Sequence, residues 1–245
     1  MERKTREGYN MKNRRTRILI GLLALILVLS SVFLLYVSDY YRADAKARAV
    51  LQAGPTVRTD GSLVILTSDL PGDTALVFYP GAKVEAAAYL PILEQIAQRC
   101  SITCILVTMP FNMAIFDVNA AGRIIGQFPD MTTWYLGGHS LGGAMASAYA
   151  AGHPQQISGL ILLGAYLYGD YPVSDTLTIY GSLNTSVANR ISYTENVVVI
   201  EGGNHAQFGN YGKQKGDPDA TISAKTQQDI AVAAIQAFLT ERSGP

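Results

Sequence analysis

From residue 62 onward, short apolar runs alternate with longer stretches whose apolar positions recur at helical spacing. The runs SLVILTS (62–68), ALVFYPG (75–81), ITCILVT (102–108), TWYLGGH (133–139), GLILLGA (159–165), LTIYGS (177–182) and NVVVIEGG (196–203) predict strands. Residues 85–99, 113–127, 141–151 and 224–240 predict helices, with a short helical stretch over 185–192. Strands of this kind, apolar on both faces and separated by helices, belong to a parallel sheet covered on each side. The connection SDLPGDT is too short for a parallel crossover and rich in turn residues, so the strands it joins are expected to pair antiparallel. The predicted fold class is therefore α/β: a mostly parallel sheet with helices on both faces and an antiparallel start.

One segment breaks this rhythm. ILIGLLALILVLSSVFLLYV, residues 18–37, carries no charge and as a helix would span about 30 Å, the thickness of a bilayer core. The zero net charge of the 245 residues hides an asymmetry around it. Residues 1–17 hold 7 Lys/Arg against 2 Glu, net +5, and the remainder holds 12 against 17, net −5. By the positive-inside rule the amino terminus is cytoplasmic and the C-terminal mass lies across the membrane, with Tyr36, Tyr40 and Tyr41 at the far interface. The expected organisation is a basic cytoplasmic tail (1–17), a transmembrane anchor (18–37), a charged, alanine-rich linker (38–55) and one folded domain (56–245). The alternative is a cleaved signal peptide with Ala43-Asp44-Ala45 as the cleavage site, although the apolar run exceeds the usual signal core of about 7 to 15 residues.

Hydrophobic residues make up 49% and charged residues 16%, enough for a core and too few charges for a disordered chain. The acidic C-terminal portion disfavours nucleic-acid binding, and the basic tail is explained by topology and anionic lipid. Cys100 and Cys104 would face an oxidising compartment, so a small local disulfide and a buried free thiol at Cys104 are both open. Two cysteines without a nearby histidine cluster do not make a zinc pattern.

The chemistry concentrates at Gly138-His139-Ser140-Leu141-Gly142. This G-x-S-x-G pentapeptide follows an apolar strand and precedes a helix-compatible run, the strand–turn–helix setting in which a serine is held up as a nucleophile. The Leu141 N–H would sit at the helix N-terminus, able to stabilise an oxyanion. A serine needs a base to take its proton. Of the three histidines, His139 adjoins the serine and would point elsewhere, and His153 precedes Pro154 at a helix end. His205, on a loop at the carboxyl edge of the sheet, is the base by elimination and by position. A second oxyanion donor is expected from the Pro80-Gly81 turn, with Ala82 N–H first and Lys83 second.

These features resemble the α/β-hydrolase superfamily, and more narrowly a small, bacterial, often membrane-tethered branch without a lid domain. The carriers are VFYPGAKVEAAAY, MPFNMAIF, GGHSLGG and IEGGNHAQFGNYGKQKGD, within residues 60–240. The resemblance implies a Ser–His–acid hydrolase that cleaves an ester or related acyl bond of a small-molecule or lipid-like substrate, using no metal or organic cofactor. It also exposes a departure: where the family ordinarily carries an Asp, after the strand LTIYGS, this chain has Asn184. The third member is then Asn184 itself or another carboxylate. Asp170, beyond the end of GLILLGA, is the alternative; Asp175 precedes its strand and Glu201 is only four residues before His205. The dozen or so residues between the strands at 159–165 and 177–182 are too few for a lid, although Tyr166, Tyr168 and Tyr171 could form a partial wall. Rival readings on the same fold are a catalytically impaired binding module and an acyltransferase or peptidase.

Overall fold

The computed structural model describes residues 2–52 and 54–243, with side chains for 16–52 and 54–242. Two units follow one another, one up to Asp39 and one from Tyr40 onward. The first is a single helix, α1 (Glu2–Ser38), whose stretch Thr16–Ser38, 23 residues, is long and apolar enough to cross a membrane. Its large aliphatic side chains, Ile18, Leu22, Leu29 and Leu35 among them, are exposed rather than packed in a core. The basic side chains of residues 1–15 lie outside the described ones.

The second unit is built on an eight-stranded sheet: β1 (Val57–Asp60), β2 (Leu63–Leu66), β3 (Thr74–Tyr79), β4 (Thr103–Val107), β5 (Thr133–His139), β6 (Gly159–Leu163), β7 (Thr176–Gly181) and β8 (Val197–Ile200). The spatial order is β1-β2-β4-β3-β5-β6-β7-β8. All pairings from β4 to β8 are parallel, and those of β1 with β2 and β2 with β4 are antiparallel. The main helices are α3 (Leu90–Cys100), α5 (Leu141–Gly152) and α7 (Ala224–Ser243), with short α2 (Ala45–Ala49), α4 (Ala120–Ile125) and α6 (Thr185–Ala188).

The central strands read as unbroken apolar runs because each sheet face has its own core. Along β3, Leu76 and Phe78 join the layer containing α3 and α7, and Ala75, Val77 and Tyr79 join the layer containing α4 and α5. Alternate side chains of one strand thus fill two cores, which a period-2 polar pattern could not do.

Four expectations need correction. The strands predicted over 62–68 and 75–81 run in opposite directions but are not neighbours: β4 lies between them, with Leu63 opposite Val107 and Ala75 opposite Thr103. The turn-rich connection dictates a reversal of direction, and the crossover through α3 then brings β4 into the gap. The edge strand β1 is mostly polar and exposed, so it carries no apolar run for a sequence pattern to find. The helix expected over 113–127 shrinks to short 3-10 turns at 110–112 and 114–116 followed by α4. Met113 (φ −139°, ψ 112°) and Asp117 (φ −152°, ψ 55°) both leave the helical region, so no continuous helix runs through this stretch.

The fourth correction is the linker. Residues 40–52 belong to the folded unit: Tyr41 pairs with Val84 as a parallel bridge, donating N–H to the Lys83 carbonyl at 2.7 Å and accepting from Glu85 N–H at 2.9 Å. The Tyr41 hydroxyl accepts Lys215 N–H at 3.0 Å, so this tyrosine docks on the domain. Asp44 caps α2 through Ala47 N–H, and Ala43, Ala47 and Val50 enter the core. Both cysteines are free thiols; Cys104 is buried in β4 and Cys100 half-buried at the end of α3.

Candidate functional site

Ser140 follows β5 without an intervening residue and has φ 54°, ψ −124°, a conformation that non-glycine residues seldom adopt. This sharp turn lifts the side chain off the end of the sheet and starts α5 at Leu141. Gly142, two residues on, lets the end of β3 pack against this turn: a β-carbon there would overlap the Tyr79 and Pro80 carbonyl oxygens. The same absence brings the Pro80–Lys83 turn against the N-terminus of α5, joining the two predicted sources of oxyanion donors.

Within that turn the backbone donors divide. Gly81 N–H donates to the Tyr89 hydroxyl at 3.1 Å and Lys83 N–H to the Asn112 carbonyl at 2.8 Å. Ala82 N–H between them has no partner among the described residues, and Leu141 N–H, first in α5, has no intrahelical acceptor. Lys83, the second choice from sequence, is thereby removed as a donor.

His205 and Asn184 come from the loops after β8 and β7, at the same edge as Ser140. Asn184 is buried, 4% exposed, and its amide nitrogen lies 2.8 Å from His205 Nδ1. Its carbonyl oxygen accepts from Ser186 Oγ at 2.8 Å. Turned through 180°, the amide satisfies the same two partners, with Oδ1 accepting Nδ1–H and Nδ2–H donating to Ser186 Oγ. Only the second orientation leaves Nε2 free to accept a proton from Ser140. Ser140, His205 and Asn184 line one cavity of about 350 Å³ whose remaining wall is largely polar, including Thr185, Ser186, Gln214, Lys215 and Asp217. Asp170 is exposed on the loop after β6 and is not part of that lining. Asp175 pairs with Arg242 at 2.7 Å at the start of β7, the opposite edge.

A glycine also makes room for His205. Gly164, φ 52°, sits where a β-carbon would lie 3.1 Å from His205 Nδ1 and 3.2 Å from His139 Nε2. Burial lowers the pKa of His205 from the ordinary histidine range, against the Asp217 carboxylate, which raises it. A neutral imidazole at neutral pH follows, as a base requires.

Several residues that hold this arrangement were not legible in the motifs. His139 is fully enclosed, and burial together with the nearby His205 keeps it well below the usual pKa. Its Nε2–H donates to the His205 carbonyl at 3.0 Å and its Nδ1 accepts from the Tyr89 hydroxyl at 2.8 Å, linking the Gly81 turn to the His205 loop. Gln227 of α7, buried, clasps Asn204 N–H and Asn204 carbonyl at 3.0 and 2.8 Å. Asp217 accepts from His205 N–H and Ala206 N–H. His153, by contrast, caps α5 and stacks on Tyr149, as its place before Pro154 suggested. Of the three loop tyrosines, Tyr171 is buried with its hydroxyl on the Ile157 carbonyl, Tyr166 lies under Arg190, and Tyr168 is exposed.

Comparisons with known proteins converge on this architecture. A hormone-sensitive lipase from a metagenome library is 15% identical, with a TM-score of 0.52 over 81% of this chain and 92% of its own. A bacterial membrane phospholipase A is 14% identical, with a TM-score of 0.51 over 94% and 100%. The monoglyceride lipase of Saccharomyces cerevisiae is 9% identical, with a TM-score of 0.52 over 76% and 94%. At these identities the likeness is one of fold. A comparison with curated proteins finds no match. The family model described as the alpha/beta hydrolase family matches residues 75–229, from β3 through the start of α7, and so takes in Ser140, Asn184 and His205. The chain belongs to the α/β hydrolase family.

Proposed function

We propose that this protein is a serine hydrolase that cleaves an ester or related acyl bond, with Ser140 as nucleophile, His205 as base and Asn184 in the position of the triad acid. The observation that carries the reading is the 2.8 Å contact between Asn184 and His205 Nδ1 beside a serine held at φ 54°. His205 Nε2 takes the Ser140 Oγ proton as Oγ bonds to the acyl carbon, and the resulting oxyanion accepts from Ala82 and Leu141 N–H. Collapse breaks the bond to the leaving alkoxide, which takes the proton from Nε2. Water then attacks the acyl-enzyme, its proton passing to Nε2 and on to Ser140 Oγ as the acid departs. A cavity of about 350 Å³ with a polar lining suits small or polar substrates better than long acyl chains.

The helix Thr16–Ser38 serves as an uncleaved anchor, with the basic tail cytoplasmic and the hydrolase domain on the other side of the membrane. The contacts of Tyr41 and Asp44 with the domain support retention over cleavage at Ala43-Asp44-Ala45, which would cut inside the folded unit. The test of the function is labelling of the full-length protein in detergent with a fluorophosphonate probe, with Ser140→Ala as control. Stoichiometric labelling lost in the control is the expected result. Absence of labelling in a folded protein would favour the second reading, a binding module on this fold, for which the neutral Asn184 is the supporting feature. An acyltransferase or peptidase would label equally and be separated by the acceptor it uses.

A further inference from the structure

We infer that Asp217 supplies the negative charge that Asn184 does not, and anchors the backbone of His205, so that an amide and a separate carboxylate share the task of the missing acid. The catalytic meaning of this division rests on the hydrolase reading above. Asp217 Oδ1 accepts His205 N–H at 3.1 Å and Oδ2 accepts Ala206 N–H at 2.8 Å, so its two oxygens hold successive peptide donors of the base loop. Its own position is fixed: Asp217 N–H donates to the Gln214 carbonyl at 3.1 Å, and Asn204 Nδ2 donates to the neighbouring Pro218 carbonyl at 2.8 Å.

Four groups face His205 from the surrounding elements. Asn184, from the turn before α6, is neutral. His139, from the end of β5, is buried and kept neutral. Lys215, on the same loop as Asp217, is cationic and exposed. Among the described residues, Asp217 is the only carboxylate lining the cavity with Ser140 and His205. When His205 takes the serine proton, an imidazolium forms in a half-buried place, and its stability depends on the nearest anion. Asn184 can fix the tautomer of the ring but offers no charge; Asp217 offers charge without needing to touch the ring. Asp217 is thus a positioning residue acting through His205.

The test is Asp217→Asn in the full-length protein, read by the NMR titration of its histidine rings and by kcat/KM on a p-nitrophenyl ester. With only His139, His153 and His205 present, His205→Asn assigns the signal. The expected result is a His205 titration displaced to lower pH and a fall in kcat/KM of about tenfold or more, the size of losing a charged hydrogen-bond partner. Adding Asn184→Asp to Asp217→Asn should restore both, because the anion then arrives at Nδ1 by another route. An unmoved titration overturns the inference, as does a loss of activity that Asn184→Asp leaves unrepaired. If the parent protein takes no fluorophosphonate label, the hydrolase reading falls, while the titration still decides whether the Asp217 charge reaches the imidazole.

Discussion

His139 Nε2 and the carbonyl oxygen of His205 are 3.0 Å apart, and the two rings lie 4.5 Å centre to centre. His139, beside Ser140, therefore holds the His205 loop by its backbone. Because His139 Nδ1 is bonded in turn to Tyr89, and Tyr89 to Gly81 N–H, one enclosed chain of hydrogen bonds runs from the Pro80–Lys83 turn to the His205 loop. Tyr89→Phe leaves Gly81 N–H and His139 Nδ1 unpaired in a buried site. It should destabilise the domain by about 1–3 kcal/mol, visible as a drop in Tm of roughly 2–4 °C per kcal/mol. A parent-like Tm would show that the chain is not under the tension of satisfying buried groups.

Asn184→Asp should raise kcat. A carboxylate accepts from both Ser186 Oγ–H and His205 Nδ1–H, abolishing the amide orientation in which Nε2 carries the proton. In a serine protease the reverse change lowers kcat about 10⁴-fold. A gain of tenfold or more, below that ceiling because Asp217 already contributes charge, is the expected outcome on p-nitrophenyl esters. A fall in kcat would remove Asn184 from the acid position.

The pH profile follows from the same groups. Since burial depresses the pKa of His205, the base stays neutral to lower pH than an ordinary histidine, and the acid limb of kcat/KM should fall below about 6.5. Asn184→Asp stabilises the imidazolium and should move that limb upward. Stability carries the matching sign: His139 and His205 both have folded pKa values below their unfolded ones, so the unfolded chain binds the extra protons. Stability is complete above about pH 6.5 and is lost as pH falls below it. Urea midpoints at pH 7.5 and 5.5 would register the loss, and His139→Asn should reduce it.

The segment between the N-terminal helix and the sheet should matter for reactivity. Tyr41 grips Lys83 and Glu85 by its backbone and Lys215 by its hydroxyl, and Arg48 pairs with Glu85 at 2.7 Å. A chain beginning at Asp39 should keep fluorophosphonate reactivity. One beginning at Lys46 loses the Tyr41 contacts beside Ala82 and should react more slowly at a temperature where it is still folded by circular dichroism.

The parts legible in the sequence are those where one residue type answers to one constraint. Strands β3, β5 and β6 are buried on both faces and read as apolar runs; Gly138, Ser140 and Gly142 crowd a turn that admits little else; three histidines leave one at the right edge. The parts that stayed hidden depend on partners far along the chain. Nothing in VRTDGS distinguishes an edge strand from a loop until β2 is there to pair with it. Residues 40–52 look like a spacer because only Ala43, Ala47 and Val50 are apolar and buried, and alanines carry little signal. Asp217 sits between Gly216 and Pro218 in a turn, where acids are common for conformational reasons. Its relation to His205 arises only when Asn204 ties that turn to the base loop.

The dihedral angles of Ser140 bear on why the side chain is there at all. A backbone held in that region costs a non-glycine residue of order 1–3 kcal/mol, whereas glycine occupies it freely. Ser140→Gly should therefore melt several degrees higher than the parent while taking no fluorophosphonate label, at roughly 2–4 °C per kcal/mol recovered. A domain that only bound ligands would gain by the exchange; on the proposed hydrolase reading, the hydroxyl at this point gives up durability for reactivity. The most heat-resistant form of this fold and its reactive form are then different proteins, one atom group apart.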